Sequence, residues 1–150
     1  MEDFGWDPAD AAIEQALLDQ TNAARATGFT CNGVDLPAVT DLDPQADLTC
    51  AARSHALDMA THDFFAHDSP TTGDVSDRVD ATGYSWGLVA ENIAAGQPSA
   101  DVALDDWLGS TTGHCENIMN GDAVHAGMGL ARSETAELPT YWVQVFGAPL

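Results

Sequence analysis

Apolar residues recur at helical spacing in two long stretches of the first half of the chain, the pattern of helices that bury one face. Asp7-Pro8 opens the first stretch as an N-cap and first-turn pair, and Gly28 ends it. Asp43-Pro44 repeats the start signal, and the second stretch runs to about Thr61. His55 lies on the apolar face of this second predicted helix. We therefore expect His55 to be a hydrogen-bonded core residue rather than a ligand.

The second half of the chain mixes helical and strand patterns. Residues 77–83 indicate a short helix with a glycine stop, and Ser99 caps a further helix. Residues 89–96 form an apolar, strand-like segment, while residues 125–131 and 141–146 alternate as two closing strands. The order of elements predicts an α+β domain in which helices cover a small antiparallel sheet.

The length of 150 residues and the 45% hydrophobic content fit one compact domain spanning 1–150, which we expect to be a monomer. No apolar run reaches the roughly 18 residues of a membrane-spanning helix, so none is expected. The N-terminal MEDFGWDP has neither the basic start nor the apolar core of a signal peptide.

The charge narrows the range of partners. The chain has 24 acidic and 4 basic residues, contains no lysine, and carries a formal net charge of -20. Such a surface repels phosphate backbones and anionic lipid head groups. Nucleic acid is therefore excluded as a partner.

Glu91 is a carboxylate inside the apolar segment VAENIAAG, and buried carboxylates need a partner. Histidines occur on both sides of it along the chain, His67 before and His114 after. Glu91 could contact these histidines, a metal ion, or only the backbone N–H groups of two loops. The sequence leaves these alternatives open.

A series of motifs resembles the CAP superfamily of cysteine-rich secretory proteins, antigen 5 proteins and pathogenesis-related proteins, and in particular its bacterial secreted SCP-like branch. In chain order the motifs are FFAH, RVDATGY, AENIAAG, WLGSTTGHCENIMN, HAGMG and YWVQVFG. The resemblance covers about residues 9–147. It implies a single-domain α-β-α sandwich, an extracellular or cell-surface location, and a surface cleft.

In the eukaryotic members of this superfamily the cleft carries two histidines and two glutamates. By resemblance, His67 matches the first histidine and Glu91 the first glutamate, whereas Ser110 and Tyr141 stand at the second glutamate and second histidine positions. His114 is expected to replace that histidine, as in the bacterial branch. The resemblance thus predicts a cleft lined by Ser110 and Tyr141 in which His67, His114 and Glu91 hold a divalent transition metal such as Zn²⁺, with no organic cofactor.

The three cysteines allow at most one internal disulfide. From the residues alone, three reduced thiols are equally compatible with the sequence. The resemblance implies export and therefore oxidation, and on that basis we expect a Cys31–Cys50 disulfide with Cys115 as a free thiol.

Three functions are consistent with these features. The first is a secreted binding or interaction module whose cleft holds a metal ion and whose surface takes a lipid-like ligand or a protein. The second is a metal-dependent hydrolase in which Glu91 is the general base toward metal-bound water. The third is a hydrogen-bonded polar cluster that only holds the cleft loops together.

The net charge of -20 predicts that salt stabilises the fold. Self-repulsion is screened as the Debye length falls to about 3 Å near 1 M salt. The melting temperature, measured by calorimetry, should therefore rise with NaCl concentration. A melting temperature that stays flat up to molar salt would show that the acidic residues are spaced or paired well enough not to repel.

Overall fold

The computed structural model describes residues 5–150, so the first four residues of the MEDFGWDP segment lie outside the described residues. Helices and strands alternate along the chain and build the α-β-α sandwich that was predicted. The elements are α1 (Pro8–Thr27), β1 (Phe29–Cys31), β2 (Val34–Leu36), β3 (Asp43–Pro44), α2 (Ala46–His62), α3 (Val75–Thr82), β4 (Trp86–Ala95), α4 (Ala100–Leu108), α5 (His114–Ile118), β5 (His125–Arg132) and β6 (Thr140–Pro149).

The central sheet has four strands in the order β3-β5-β6-β4. The three long strands pair antiparallel, as predicted, and the two-residue β3 adds a parallel pair beside β5. β1 and β2 form a separate antiparallel hairpin. β4 is therefore an edge strand, and Glu91 lies on it opposite Val145 of β6.

The predicted starts of α1 and α4 are correct, whereas α3 begins two residues before the predicted position, at Val75, and α2 begins after the predicted cap. Asp7 caps α1 by accepting from the Ala9 N–H, and Ser99 caps α4. Asp43 does not open α2, because its N–H donates to the Val124 carbonyl in the β3–β5 ladder. Gln45 is the N-cap instead. Its side-chain oxygen accepts from the first backbone N–H groups of the helix, as a shorter capping side chain would.

The sheet separates two apolar cores. α1, α4 and α5 cover one face, where the core includes Leu17, Trp107 and Trp142. α2 and α3 cover the other face, where the core includes Met59 and Val143. Side chains that alternate along a strand therefore enter different cores.

α2 lies unusually close to β5. A Cβ atom at Gly127 would lie 2.1 Å from the Thr49 nitrogen, and one at Gly129 would lie 2.5 Å from the Ala52 backbone. Backbone at that distance cannot yield, so both positions require glycine. The two glycines of the GMG sequence in β5 thus allow α2, the helix that precedes the His67 loop, to pack directly on the strand.

Arg25 is a fully buried cation at the end of α1, with 0% exposure. Its guanidinium donates to the carbonyls of Thr40, Ile118, Asn120 and Ala123. Burial lowers its pKa. Because these carbonyls belong to the loop before β3, the last residue of α5 and the segment after α5, Arg25 fixes these parts of the chain to α1.

The predicted Cys31–Cys50 disulfide is wrong: Cys31 is bonded to Cys115, and Cys50 is free. Cys31 and Cys115 belong to the core that α1, α4 and α5 cover. Cys50 belongs to α2, which packs on the opposite face of the sheet. The sheet thus separates Cys31 from Cys50, the partner that the resemblance favoured. Cys115, which was expected to be a free thiol, forms the disulfide instead.

Within residues 5–150, no helix is both long enough and apolar enough to span a membrane.

The disulfide predicts a large stability difference between cysteine variants. Its ends are 84 residues apart, a loop worth about 4.5 kcal/mol in the chain-entropy model. Replacing Cys31 and Cys115 together by Ser should lower the unfolding free energy by a large part of that amount in denaturant titration, whereas Cys50→Ser should change it little. Peptide mapping of unreduced, denatured protein should find Cys50 alone alkylated. A Cys31–Cys50 peptide would contradict the assignment.

Candidate functional site

Glu91 is the centre of a buried ionic cluster at the edge of the sheet. Its residue is 6% exposed, and both carboxylate oxygens are occupied. Oε1 accepts from Nδ1 of His67 at 2.9 Å, and Oε2 accepts from a terminal guanidinium nitrogen of Arg78 at 2.7 Å. Glu91 therefore has the cationic partner that its burial requires, and one of the two flanking histidines as well.

Arg78 ties the His67 loop to α3. The same guanidinium donates to the Gly73 carbonyl at 2.6 Å and to the His67 carbonyl at 3.1 Å. The capping box between Asp74 and Asp77 fixes the start of α3. Arg78 thus holds the backbone of His67, while Glu91 holds its side chain.

The His67 side chain is exposed, but the buried Glu91 orients its ring. Since a carboxylate only accepts, the Nδ1–H of His67 donates to Glu91. This hydrogen bond raises the pKa of His67, against the smaller opposing effect of burial. The associated stabilisation is complete below the ordinary pKa of about 6.5 and is lost as pH rises through the raised value. Nε2 of His67 has no hydrogen-bond partner within residues 5–150 and is available to a ligand.

His114 approaches from the other face of the sheet, as the first residue of α5. Its Nδ1 lies 2.8 Å from Oγ of Ser110, and its Nε2 likewise lacks a partner among the described residues. Burial lowers the pKa of His114, and the nearby charge of His67 lowers it further. The structure thus places His67 in contact with Glu91, and places His114 near enough for the charge of His67 to lower its pKa.

A chain of buried amides positions α5 against β4. Asn92 donates to the His114 carbonyl at 3.1 Å and accepts from Asn117 at 2.9 Å. Asn92 also donates to Gln144, whose own amide donates to Thr21 of α1. Two consecutive residues of β4 therefore hold the two histidines: Glu91 accepts from the His67 ring, and Asn92 donates to the His114 carbonyl.

His55 supports the site from the core, as predicted. It is 0% exposed, and its Nε2 lies 2.7 Å from the Ala66 carbonyl, the residue before His67. Burial lowers the pKa of His55, so its contribution to stability is present above about pH 6.5 and is lost as pH falls through the lowered value.

A surface groove of about 280 Å³ adjoins His114. Its polar lining is Gln97, Asp106, Ser110 and His114. Its apolar lining is Phe65, Ile93, Ala94, Ala95, Trp107 and Leu138. Ser110 and His114 thus line this groove, whereas His67 and Glu91 are not among its lining residues. Tyr141 does not line the groove: it is 2% exposed and packs in the core on the α2 side, the face to which the odd-numbered positions of β6 point.

The residues fit a divalent metal only in part. Two Nε2 atoms are available, but both oxygens of Glu91 already accept hydrogen bonds and its side chain is 1% exposed, which disfavours it as a third ligand. Within the described residues no group of three His, Cys, Asp or Glu side chains could hold a metal ion. A metal here would therefore take two protein nitrogens and complete its coordination with solvent or a ligand.

Arg78 is the site residue that the sequence analysis missed, although it lies in the quoted RVDATGY motif. The signal was the rarity of cations: the chain has 4 basic residues against 24 acidic ones. Two of the four, Arg25 and Arg78, are buried. In so acidic a chain, each of the few arginines is a candidate partner for a buried carboxylate.

The chain belongs to the cysteine-rich secretory protein (CAP) family, whose profile it matches over residues 18–146. The α-β-α sandwich described above is the fold of this class.

Among individual relatives, the chain is 30% identical to the uncharacterized protein YkwD of Bacillus subtilis (strain 168) over 136 residues, covering 91% of this chain and 47% of YkwD. It superposes with a TM-score of 0.77 and 26% identity on an extracellular protein containing an SCP domain from Bacillus anthracis strain Ames, covering 98% of this chain and 44% of that one. An outer surface protein from Borrelia burgdorferi shares the fold, with a TM-score of 0.77, 17% identity and 95% coverage of both chains. The chain spans less than half the length of the curated relatives that it matches.

Glu91→Gln should lower the pKa of His67 and destabilise the fold. The amide keeps the shape of the carboxyl group but not its charge, so the hydrogen bond no longer favours protonated His67, and Arg78 loses its only carboxylate contact among the described residues. Breaking a buried ion pair in this way costs about 3 kcal/mol or more. NMR titration of the imidazole protons and denaturant unfolding measure the two effects.

Asp68→Asn is the matched control, because it removes the same charge from the exposed neighbour of His67, whose influence on the His67 pKa is the smallest of those identified. It should lower that pKa much less than Glu91→Gln does. Equal effects of the two substitutions would mean that charge alone, and not the hydrogen bond, controls His67.

Proposed function

We propose that the chain is an extracellular ligand-binding domain whose cleft holds a divalent transition metal through Nε2 of His67 and Nε2 of His114. One observation carries the proposal: each histidine engages a partner through Nδ1 and leaves Nε2 without one within residues 5–150. Imidazole nitrogens suit Zn²⁺, Cu²⁺ and Ni²⁺ rather than Ca²⁺.

The environment of His67 is typical of a metal-binding histidine. Metal-binding histidines usually donate their other ring N–H to a carboxylate or carbonyl, which orients the ring and makes it a stronger ligand. Glu91 supplies that carboxylate for His67. Ser110 supplies the corresponding polar contact for His114. In this proposal Glu91 orients a ligand and is not itself one.

The hydrolase alternative has less support. A general base needs a free carboxylate oxygen within reach of the attacking water. Both oxygens of Glu91 already accept hydrogen bonds, and the side chain is 1% exposed. On accepting a proton from water, Glu91 would become neutral and leave the buried Arg78 guanidinium without its counter-charge, which is unfavourable. We therefore favour a binding module over an enzyme.

The location and the ligand are proposed on separate grounds. The relation to an extracellular SCP-domain protein and the disulfide both favour an oxidising, extracellular setting. A groove of 280 Å³ corresponds to roughly nine water-sized groups, at about 30 Å³ each, so it can enclose only one end of a lipid-like molecule. A protein partner would likewise insert no more than one side chain.

Zn²⁺ titrated into the protein by calorimetry tests the metal site. His67→Ala and His114→Ala should each abolish binding, because one imidazole does not hold the ion. Binding to the parent should weaken between pH 7.5 and about 5.5, and the loss should begin above the ordinary histidine pKa of about 6.5 because that of His67 is raised.

His62→Ala is the matched control, since His62 is exposed and also pairs with a carboxylate, Asp58, through Nδ1 at 2.7 Å. It should leave Zn²⁺ binding unchanged. His55→Ala should reduce stability more than binding because it removes a fully buried side chain. If Zn²⁺ binds the His67→Ala, His114→Ala double variant as well as the parent, the site is wrongly assigned.

A further inference from the structure

We propose that the groove beside His114 binds a small apolar group that carries a cationic amine, through its apolar walls and the side-chain oxygens of Gln97 and Asp106. This ligand site adjoins the proposed metal site but needs no metal. Either proposal can therefore fail while the other holds.

The walls of the groove are apolar and partly exposed. Phe65 is 53% exposed and Leu138 is 36% exposed, and both line the groove together with Ile93 and Trp107. Large apolar side chains that share one concave surface are a stronger sign of a ligand site than scattered ones. The loops that carry Phe65 and Leu138 are joined by the Glu137 N–H, which donates to Asp63 at 2.9 Å.

The floor of the groove is preformed. The indole N–H of Trp107 donates to the Ile93 carbonyl at 2.9 Å and fixes α4 to β4. The Gln97 carbonyl accepts from Thr140 at 2.8 Å and from the Trp142 indole at 3.1 Å. Because these contacts hold the groove in its present shape, little ordering of the protein would oppose binding.

One acceptor at the polar end of the groove has no donor among the described residues. Oε1 of Gln97 is buried and has no partner among the described residues, although buried polar atoms nearly always have one. The amide nitrogen of Gln97 donates to Oδ2 of Asp106 at 3.0 Å, which places the carboxylate beside the amide. An ammonium group, with several donors and a positive charge, complements this pair of acceptors.

The net negative charge of the protein also favours a cationic ligand over an anionic one. With a net charge of -20, the surface concentrates cations and repels carboxylates and phosphates. The same charge disfavours a fatty acid whose carboxylate would face Asp106.

The volume of the groove limits the size of the ligand. About 280 Å³ accommodates roughly nine non-hydrogen atoms, at about 30 Å³ each. Phenethylamine is a probe of that size with an aromatic ring and one ammonium group. Phenethyl alcohol is its neutral isostere, and phenylacetate is its anionic counterpart.

The experiment titrates the three probes into the ¹⁵N-labelled protein in the presence of EDTA and follows the indole N–H signals by NMR. Trp107 lies in the groove lining and reports binding there. Trp86, whose indole donates to the exposed Asp80, serves as an internal control. From the shift of the Trp107 signal, we expect a dissociation constant for phenethylamine at least about fivefold lower than that for phenethyl alcohol. Phenylacetate should bind more weakly than either.

Two pairs of variants separate the groove from the general charge of the surface. Asp106→Asn should remove the preference for the amine, whereas Asp105→Asn, on the same helix but outside the groove lining, should keep it. Leu138→Ser should weaken binding of both the amine and the alcohol, whereas Leu57→Ser, at an exposed position on α2, should not.

The proposal is overturned if the alcohol or phenylacetate binds as well as the amine, if Asp105→Asn and Asp106→Asn behave alike, or if none of the probes shifts Trp107. Since no metal is present, loss of Zn²⁺ binding in the histidine variants cannot produce any of these outcomes.

Discussion

The buried ion pair between Glu91 and Arg78 is the interaction on which the site depends. Both side chains are almost completely buried, at 1% and 2% exposure, and a lone charge there would cost several kcal/mol. The pair is held in one geometry because Arg78 also donates to the carbonyls of Gly73 and His67. The same interaction therefore joins β4 to α3, shapes the loop between α2 and α3, and orients His67 toward solvent.

Because side chains alternate along β4, the two residues Glu91 and Asn92 position groups on opposite faces of the sheet. Glu91 faces the α2 and α3 layer, whereas Asn92 faces the layer of α1, α4 and α5, where it holds the backbone of His114. The disulfide to Cys115, the residue after His114, fixes α5 a second time. The layers on opposite faces of the sheet thus each present one imidazole at a common sheet edge. Such rigid placement suits binding, because little has to be ordered when a ligand arrives.

Local patterns predicted the helices, the long strands and a partner for Glu91, because periodicity, capping and the cost of a buried charge act over a few residues. Contacts set by the sandwich as a whole were not predictable in this way. Cys31 and Cys115 meet although 84 residues separate them, on the face of the sheet opposite to α2. Tyr141 was expected in the cleft, but its position on β6 directs it into the core. Arg78 was missed because nothing local distinguishes a buried arginine from an exposed one on a short helix.

The most direct test of this account is the tautomer of neutral His67, read from a long-range ¹H–¹⁵N correlation spectrum recorded above its titration range. If Glu91 orients the ring, Nδ1 must carry the proton and show a pyrrole-type ¹⁵N shift, while Nε2 shows the pyridine-type shift of a free lone pair. The opposite pattern, with the proton on Nε2, would mean that Glu91 does not accept from His67 in solution. The claim that this carboxylate positions the histidine for a ligand would then fail.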